Sequence, residues 1–140
     1  EEAREGWKKV VEGIKENNGH VIAQLWHCGG FRKLGMGPNP EVPGHTASGL
    51  VRPGKRVAHA MTSLDIEETV DAYASDAKIC EDIGFDGVEI HGAHGYLIHE
   101  FFSSCFVFEI SNQVVETECS VNCFFQFYFS KLAVNRVACF

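Results

Sequence analysis

Two short apolar runs, His20-Val21-Ile22-Ala23-Gln24-Leu25-Trp26 and Phe85-Asp86-Gly87-Val88-Glu89-Ile90, each follow a stretch of helical periodicity, and this alternation constrains the fold more than any other feature. In the first stretch Trp7, Val10, Val11 and Ile14 recur on one helical face, which predicts a helix from Glu1 to Asn17, stopped by Asn17-Asn18-Gly19. The second predicted helix starts at Ser63 or Asp65. Ser63 stands at capping-box spacing from an apolar Ile66, so the box is imperfect, but Glu67 and Glu68 suit the first turn. Ile66, Val70, Tyr73, Ala77 and Ile79 or Cys80 give its apolar face, and Ile83-Gly84 ends it. Helix, strand, loop, helix, strand is the order of a parallel α/β sheet, and both strands are apolar throughout, as strands covered on two faces should be. Pattern alone leaves a barrel and an open sheet both standing. Residues 27 to 64 carry all four prolines (Pro38, Pro40, Pro43, Pro53), so a long irregular loop is expected there.

The 140 residues are 45% hydrophobic, the composition of a soluble globular domain. A formal net charge of -7, with 12 scattered basic residues, offers no stripe for a nucleic acid. No run approaches the roughly 18 to 20 apolar residues of a membrane span, and a cytoplasmic location is the expectation. The chain opens at Glu1 with a helix already under way, which leads us to expect a start in mid-protein. Cys28 and Cys80 lie in the regular part while the other four cysteines stand at Cys105 and beyond, a distribution unlike a disulfide framework. Beyond Ser103 phenylalanine and cysteine crowd together without periodicity. Residues 104–140 are therefore expected to be an irregular, aggregation-prone tail separate from residues 1–103, with no function assigned.

The chemistry concentrates in His91-Gly92-Ala93-His94-Gly95-Tyr96-Leu97, immediately after the second strand. Two imidazoles three apart lie side by side if the chain turns into a helix there, and together they can donate to one oxygen. Such a pair polarises a carbonyl, and Tyr96 can supply a proton to a neighbouring carbon. Metal binding is a rival reading, with His91, His94 and perhaps His99 as ligands and Glu89 and Glu100 nearby; so is a merely structural histidine pair. At the end of the first strand the Gln24 amide can pair with a heterocycle edge or rest as a satisfied core glutamine. Trp26-His27 and Arg32-Lys33 either overhang the same rim or form a packed tryptophan and a solvated loop. Gly29, Gly30, Gly35 and Gly37 make no phosphate-binding fingerprint and are read as loop flexibility, and Cys28 as an inert thiol.

With Gln24-Leu25-Trp26-His27 on one strand and Gly84 to Leu97 on the other, supported by Ser48-Gly49-Leu50 and Met61-Thr62, residues from about Gly6 to Ser103 resemble the old yellow enzyme family of flavin-dependent NAD(P)H:flavin oxidoreductases. The resemblance implies a (β/α)8 TIM barrel with FMN at its C-terminal rim, of which this chain would supply about strands 3 and 4 with the helix before each. It implies that Gln24 contacts the flavin pyrimidine edge, that His91 and His94 bind the substrate carbonyl oxygen, and that Tyr96 is the proton donor. Hydride would pass from NAD(P)H through FMN to the activated C=C of an α,β-unsaturated carbonyl compound, with no metal. Relatives that reduce dienoyl thioesters lack the histidine pair, so an enone is the preferred substrate. Many members carry arginine where Gly30 stands; here Arg32 comes two residues later. Earlier strands, a later flavin-facing arginine and the phosphate-receiving glycine turns have no counterpart. The expectation is thus a fragment, inactive on its own, with a small α/β metal domain or a noncatalytic truncated protein as alternatives and the oligomeric state open.

Overall fold

The computed structural model describes residues 1–102, apart from 53 and 57, together with 137–139. The order is α1 (Glu2–Glu16), β1 (Ile22–Leu25), a 3-10 turn (Gly29–Phe31), β2 (His45–Thr46), β3 (Leu50–Arg52), β4 (Lys55–Arg56), β5 (His59–Ala60), α2 (Ser63–Ile83), β6 (Gly87–Ile90), α3 (Leu97–Phe102) and β7 (Val137–Cys139). Apart from β7, the expectation for residues 104–140 lies outside the described residues.

β1 and β6 run parallel in the register Ile22↔Gly87 to Leu25↔Ile90, and β7 joins the other edge of β6, also parallel. Strand alternation turns Val88 and Ile90 toward α2, where they meet Val70, Tyr73 and Ala77, with Ala23 and Leu25 packed against this core. The predicted strands are found, each shorter than its apolar run. Their expected burial on both faces is not found among the described residues. Gln24 is exposed and Glu89 half-buried, because helix packing covers only the opposite face. α1 likewise buries only Val11 of its predicted apolar face; Trp7 is 57% exposed, resting obliquely against Phe85.

Asp86 joins the starts of the two strands. Its carboxylate accepts from the Val21 N–H at 2.8 Å and pairs with Lys15 at the end of α1. The Lys15 ammonium and the Val21 N–H hold that carboxyl well below the usual range.

Residues 27–64 are the expected irregular loop only in part: residues 32–44, with three of the four prolines, hold no regular element, whereas residues 45–60 form short paired strands. β2 pairs with β5 in parallel and β3 with β4 in antiparallel fashion. Thr46, Ser48 and Leu50 are buried, and the Thr46 hydroxyl accepts from the Gly49 N–H at 2.7 Å. Side-chain-to-backbone bonds of this kind give short pairings a rigidity that periodicity cannot register. The cap of α2 also differs by one residue from the sequence reading. Thr62 is the N-cap, and a complete capping box forms with Asp65, which the apolar Ile66 had concealed. Gly84 closes the helix in the left-handed conformation, φ 106°.

Candidate functional site

Parallel pairing brings the C-terminal ends of β1 and β6 together, and two backbone bonds extend the ladder past them. The His91 N–H donates to the Leu25 carbonyl at 2.9 Å, and the Leu97 N–H donates to the His27 carbonyl at 3.2 Å. Everything between His91 and Tyr96 is thereby hung from the end of β1. Alternation from the Gln24↔Glu89 pair turns Gln24, Glu89 and His91 to the sheet face away from α2, where Gln24 donates from Nε2 to Glu89 Oε1 at 3.0 Å.

The helix that would have set the two imidazoles side by side does not follow β6 directly; α3 begins only at Leu97, and residues 91–96 form a turn. His94 stands in the left-handed region at φ 60°, followed by Gly95 at φ 79°. This reversal, rather than helical spacing, brings the imidazoles together. The His91 and His94 rings meet edge-on with centroids 5.4 Å apart, and His91 meets Tyr96 at 5.0 Å. The Ala93 N–H donates to His91 Nδ1 at 3.3 Å, so a neutral His91 carries its proton on Nε2, a tautomer assigned from the network. That leaves Nε2–H as a donor for a ligand.

Tyr96 is boxed by aromatic rings on further sides. Trp26 meets it edge-on at 5.0 Å and Phe31 obliquely at 5.0 Å. Phe31 comes from the 3-10 turn, and here the sequence reading needs correction. Gly29 and Gly30 are not flexible spacers. Gly29 is buried at φ 56°, and a Cβ there would lie 2.7 Å from Glu100 Oε1 and 2.9 Å from the Leu97 nitrogen. Glu100, 1% exposed, accepts from the Gly30 N–H at 3.0 Å. Burial pushes its carboxyl up to about 7, while the Gly30 and Ala47 N–H groups pull the other way. Sequence reasoning named Glu100 only as a conceivable metal ligand. The one signal available was a carboxylate inside the apolar run Leu97-Ile98-His99-Glu100-Phe101.

Of the rim cations, Arg32 is spent on backbone carbonyls, donating to Asn39 at 2.7 Å and Val42 at 3.3 Å. It braces the loop. His27 is held below its ordinary pKa by burial and by the neighbouring His45 and Arg32 charges, and its Nδ1 accepts from the Gly29 N–H. A cavity of about 490 Å3 between the end of β1 and α2 is lined by Gln24, Trp26, His27, His45 and Tyr73 among others, but by none of His91, His94 or Tyr96. We place the chemistry where the rings converge. Among the described residues no group of three His, Cys, Asp or Glu side chains could hold a metal ion. His99, the third ligand of the metal reading, has its Nδ1 engaged by the Gly95 N–H at 3.1 Å. Cys28 and Cys80 are free thiols. Among the described residues no helix is long and apolar enough to cross a membrane.

Comparison with known proteins adds an independent line. The family model described as the NADH:flavin oxidoreductase / NADH oxidase family matches residues 1–108. The chain is 39% identical over 104 residues to the flavin oxidoreductase hxnT of Emericella nidulans, covering 69% of this chain and 27% of that protein. It is 34% identical over 115 residues to the probable flavin mononucleotide-dependent alkene reductase of Leishmania infantum, covering 71% of this chain and 31% of that one. The chain thus spans less than a third of the length of either relative. The solved structure of morphinone reductase matches with a TM-score of 0.75 at 20% identity, over 97% of this chain and 41% of that one, a likeness of α/β fold.

Proposed function

Because this chain belongs to the NADH:flavin oxidoreductase / NADH oxidase family of FMN-dependent, NAD(P)H-oxidising enzymes, we propose that its β1 and β6 ends form one segment of the rim of a (β/α)8 barrel that reduces activated alkenes. The observation that carries this reading is the convergence of the His91, His94 and Tyr96 rings within 5.0 to 5.4 Å, with the His91 Nε2–H left free to donate.

FMN fits the donor set at Gln24. After one N–H goes to Glu89, the amide retains a second N–H and a carbonyl oxygen, the complement of a pyrimidine edge. The chemistry that bound FMN supplies is hydride transfer, with NAD(P)H as reductant, to the β-carbon of an α,β-unsaturated carbonyl compound. His91 and His94 donate to the carbonyl oxygen, drawing electron density from the double bond and making the β-carbon electrophilic. As negative charge builds on that oxygen, the Tyr96 hydroxyl gives its proton to the α-carbon, and the phenolate recovers a proton from solvent. One C=C π bond is lost and two C–H bonds form. Trp26 and Phe31 pack against the phenol ring and help to orient it. Among the described residues a three-stranded sheet offers one stretch of this rim, and the 140 residues alone are expected to turn over no alkene.

The test replaces the matching segment of the Leishmania infantum relative with residues 1–102 and follows NAD(P)H-driven reduction of a cyclic enone. Tyr96→Phe should slow alkene reduction by about 10² to 10⁴ while reduction of the flavin by NAD(P)H stays unchanged. His91→Ala should chiefly weaken enone binding. Unaltered enone turnover in Tyr96→Phe rules the reading out.

A further inference from the structure

We propose that Glu100 is a positioning residue for the Tyr96 phenol, acting through the Gly30 amide and Phe31. Four observations carry this, all independent of any ligand. Glu100 is 1% exposed and reaches from α3 to the 3-10 turn, accepting the Gly30 N–H at 3.0 Å. Around that bond the packing leaves no slack: a Cβ on Gly30 would lie 2.9 Å from Thr46 Cγ2 and 3.2 Å from Val51 Cγ1, and one on Gly29 would collide with Glu100 itself. The residue next to Gly30 is Phe31, whose ring lies 5.0 Å from that of Tyr96 although its own surface is 57% exposed. Finally, the Glu100 N–H donates to the Tyr96 carbonyl at 3.0 Å, the first-turn bond of α3, so the carboxyl that grips the turn and the backbone that carries Tyr96 share one helical turn.

A phenylalanine 57% exposed on a glycine-rich turn has little burial of its own to fix it. Glu100 supplies the fixed point instead, a buried carboxyl that accepts the Gly30 N–H. Its loss should free the turn, let Phe31 swing into solvent, and leave the phenol without one wall of its box. The inference rests on reading Tyr96 as the proton donor only for its catalytic meaning; the geometry it predicts is separate.

The experiment uses the full 140-residue chain. In the unmodified protein, hydrogen exchange of the Gly30 amide should run at least about tenfold slower than that of an unstructured amide, the factor expected of one ordinary hydrogen bond. In the variants, Tyr96 ring-proton resonances report the ring currents of Trp26, Phe31 and His91. Glu100→Leu should move them toward solvent-exposed tyrosine values with the far-ultraviolet circular dichroism retained, whereas Glu100→Gln, which keeps a carbonyl acceptor, should restore them. Unmoved Tyr96 resonances in Glu100→Leu overturn the proposal. If that variant does not fold, an unprotected Gly30 amide in the parent chain does the same. Neither readout depends on alkene turnover, so failure here and failure of Tyr96 as the donor are told apart.

Discussion

Replacing Glu100 by glutamine should reshape the pH dependence of stability, and the burial of the carboxyl fixes both sign and size. Oε1 accepts the Gly30 N–H, but Oε2 is buried with no hydrogen-bond partner among the described residues. Desolvation therefore dominates, and the folded-state pKa rises from 4.5 to about 7. Raising a carboxyl pKa on folding means the folded chain binds more protons than the unfolded one between those two values, so stability falls as pH rises through that window. Below about 4.5 both states are protonated and nothing is lost; above about 7 the full penalty is present. At about 1.36 kcal/mol per pKa unit, an ionised Glu100 destabilises the fold by about 3 kcal/mol at pH 8. Glu100→Gln keeps the shape and an acceptor without the charge. Urea unfolding of both proteins from pH 4.5 to 8 isolates this contribution, because every other titrating group, His27 included, is common to the pair. Their stabilities should lie close together at pH 4.5 and diverge by about 3 kcal/mol in favour of the glutamine variant at pH 8. Parallel profiles would refute the reasoning and mean that water reaches Oε2.

Other substitutions test neighbouring parts of the frame. Leu97, fully buried in the core under the site, should lose about 2 to 5 kcal/mol on substitution by alanine, read from the urea midpoint at constant slope. Thr62→Ala removes the hydroxyl that accepts the Asp65 N–H at 3.2 Å and should lower stability by about 1 kcal/mol, with the first amides of α2 exchanging faster. Gly29→Ala puts a methyl at φ 56° against Glu100 and should lose about 2 kcal/mol or more in the same assay, together with the near-ultraviolet dichroism of the Trp26, Phe31 and Tyr96 cluster.

How much of this could be read from the chain depends on which physical signal each part carries. Both helices announce themselves by period and both strands by short apolar runs, and their alternation gives the parallel pairing of β1 with β6. Gln24, His91, His94 and Tyr96 were singled out because they stand at or just after the ends of the two strands, and the rings of the last three do meet. The route by which they meet was not legible. A left-handed histidine and glycine make the reversal, and the helical route weighed for the pair is not the one taken. Residues 27–64 were legible only in part: prolines and glycines mark the turns and the irregular stretch at 32–44, but the hydroxyl-to-backbone bonds and tight glycine contacts around the short pairings leave no periodic trace. Glu100 was hidden because a buried carboxylate breaks the apolar pattern without saying what it touches.

The left-handed backbone at His94 also acts as a sieve on evolution. A residue at φ 60° bears a strain that β-branched and bulky side chains tolerate poorly, while glycine, asparagine, aspartate and histidine bear it best. Of those four, only histidine and asparagine present a side-chain N–H at neutral pH. In the role proposed for His94, asparagine is thus the one replacement that keeps both the backbone conformation and a side-chain N–H, a restriction written into the main chain before any substrate arrives.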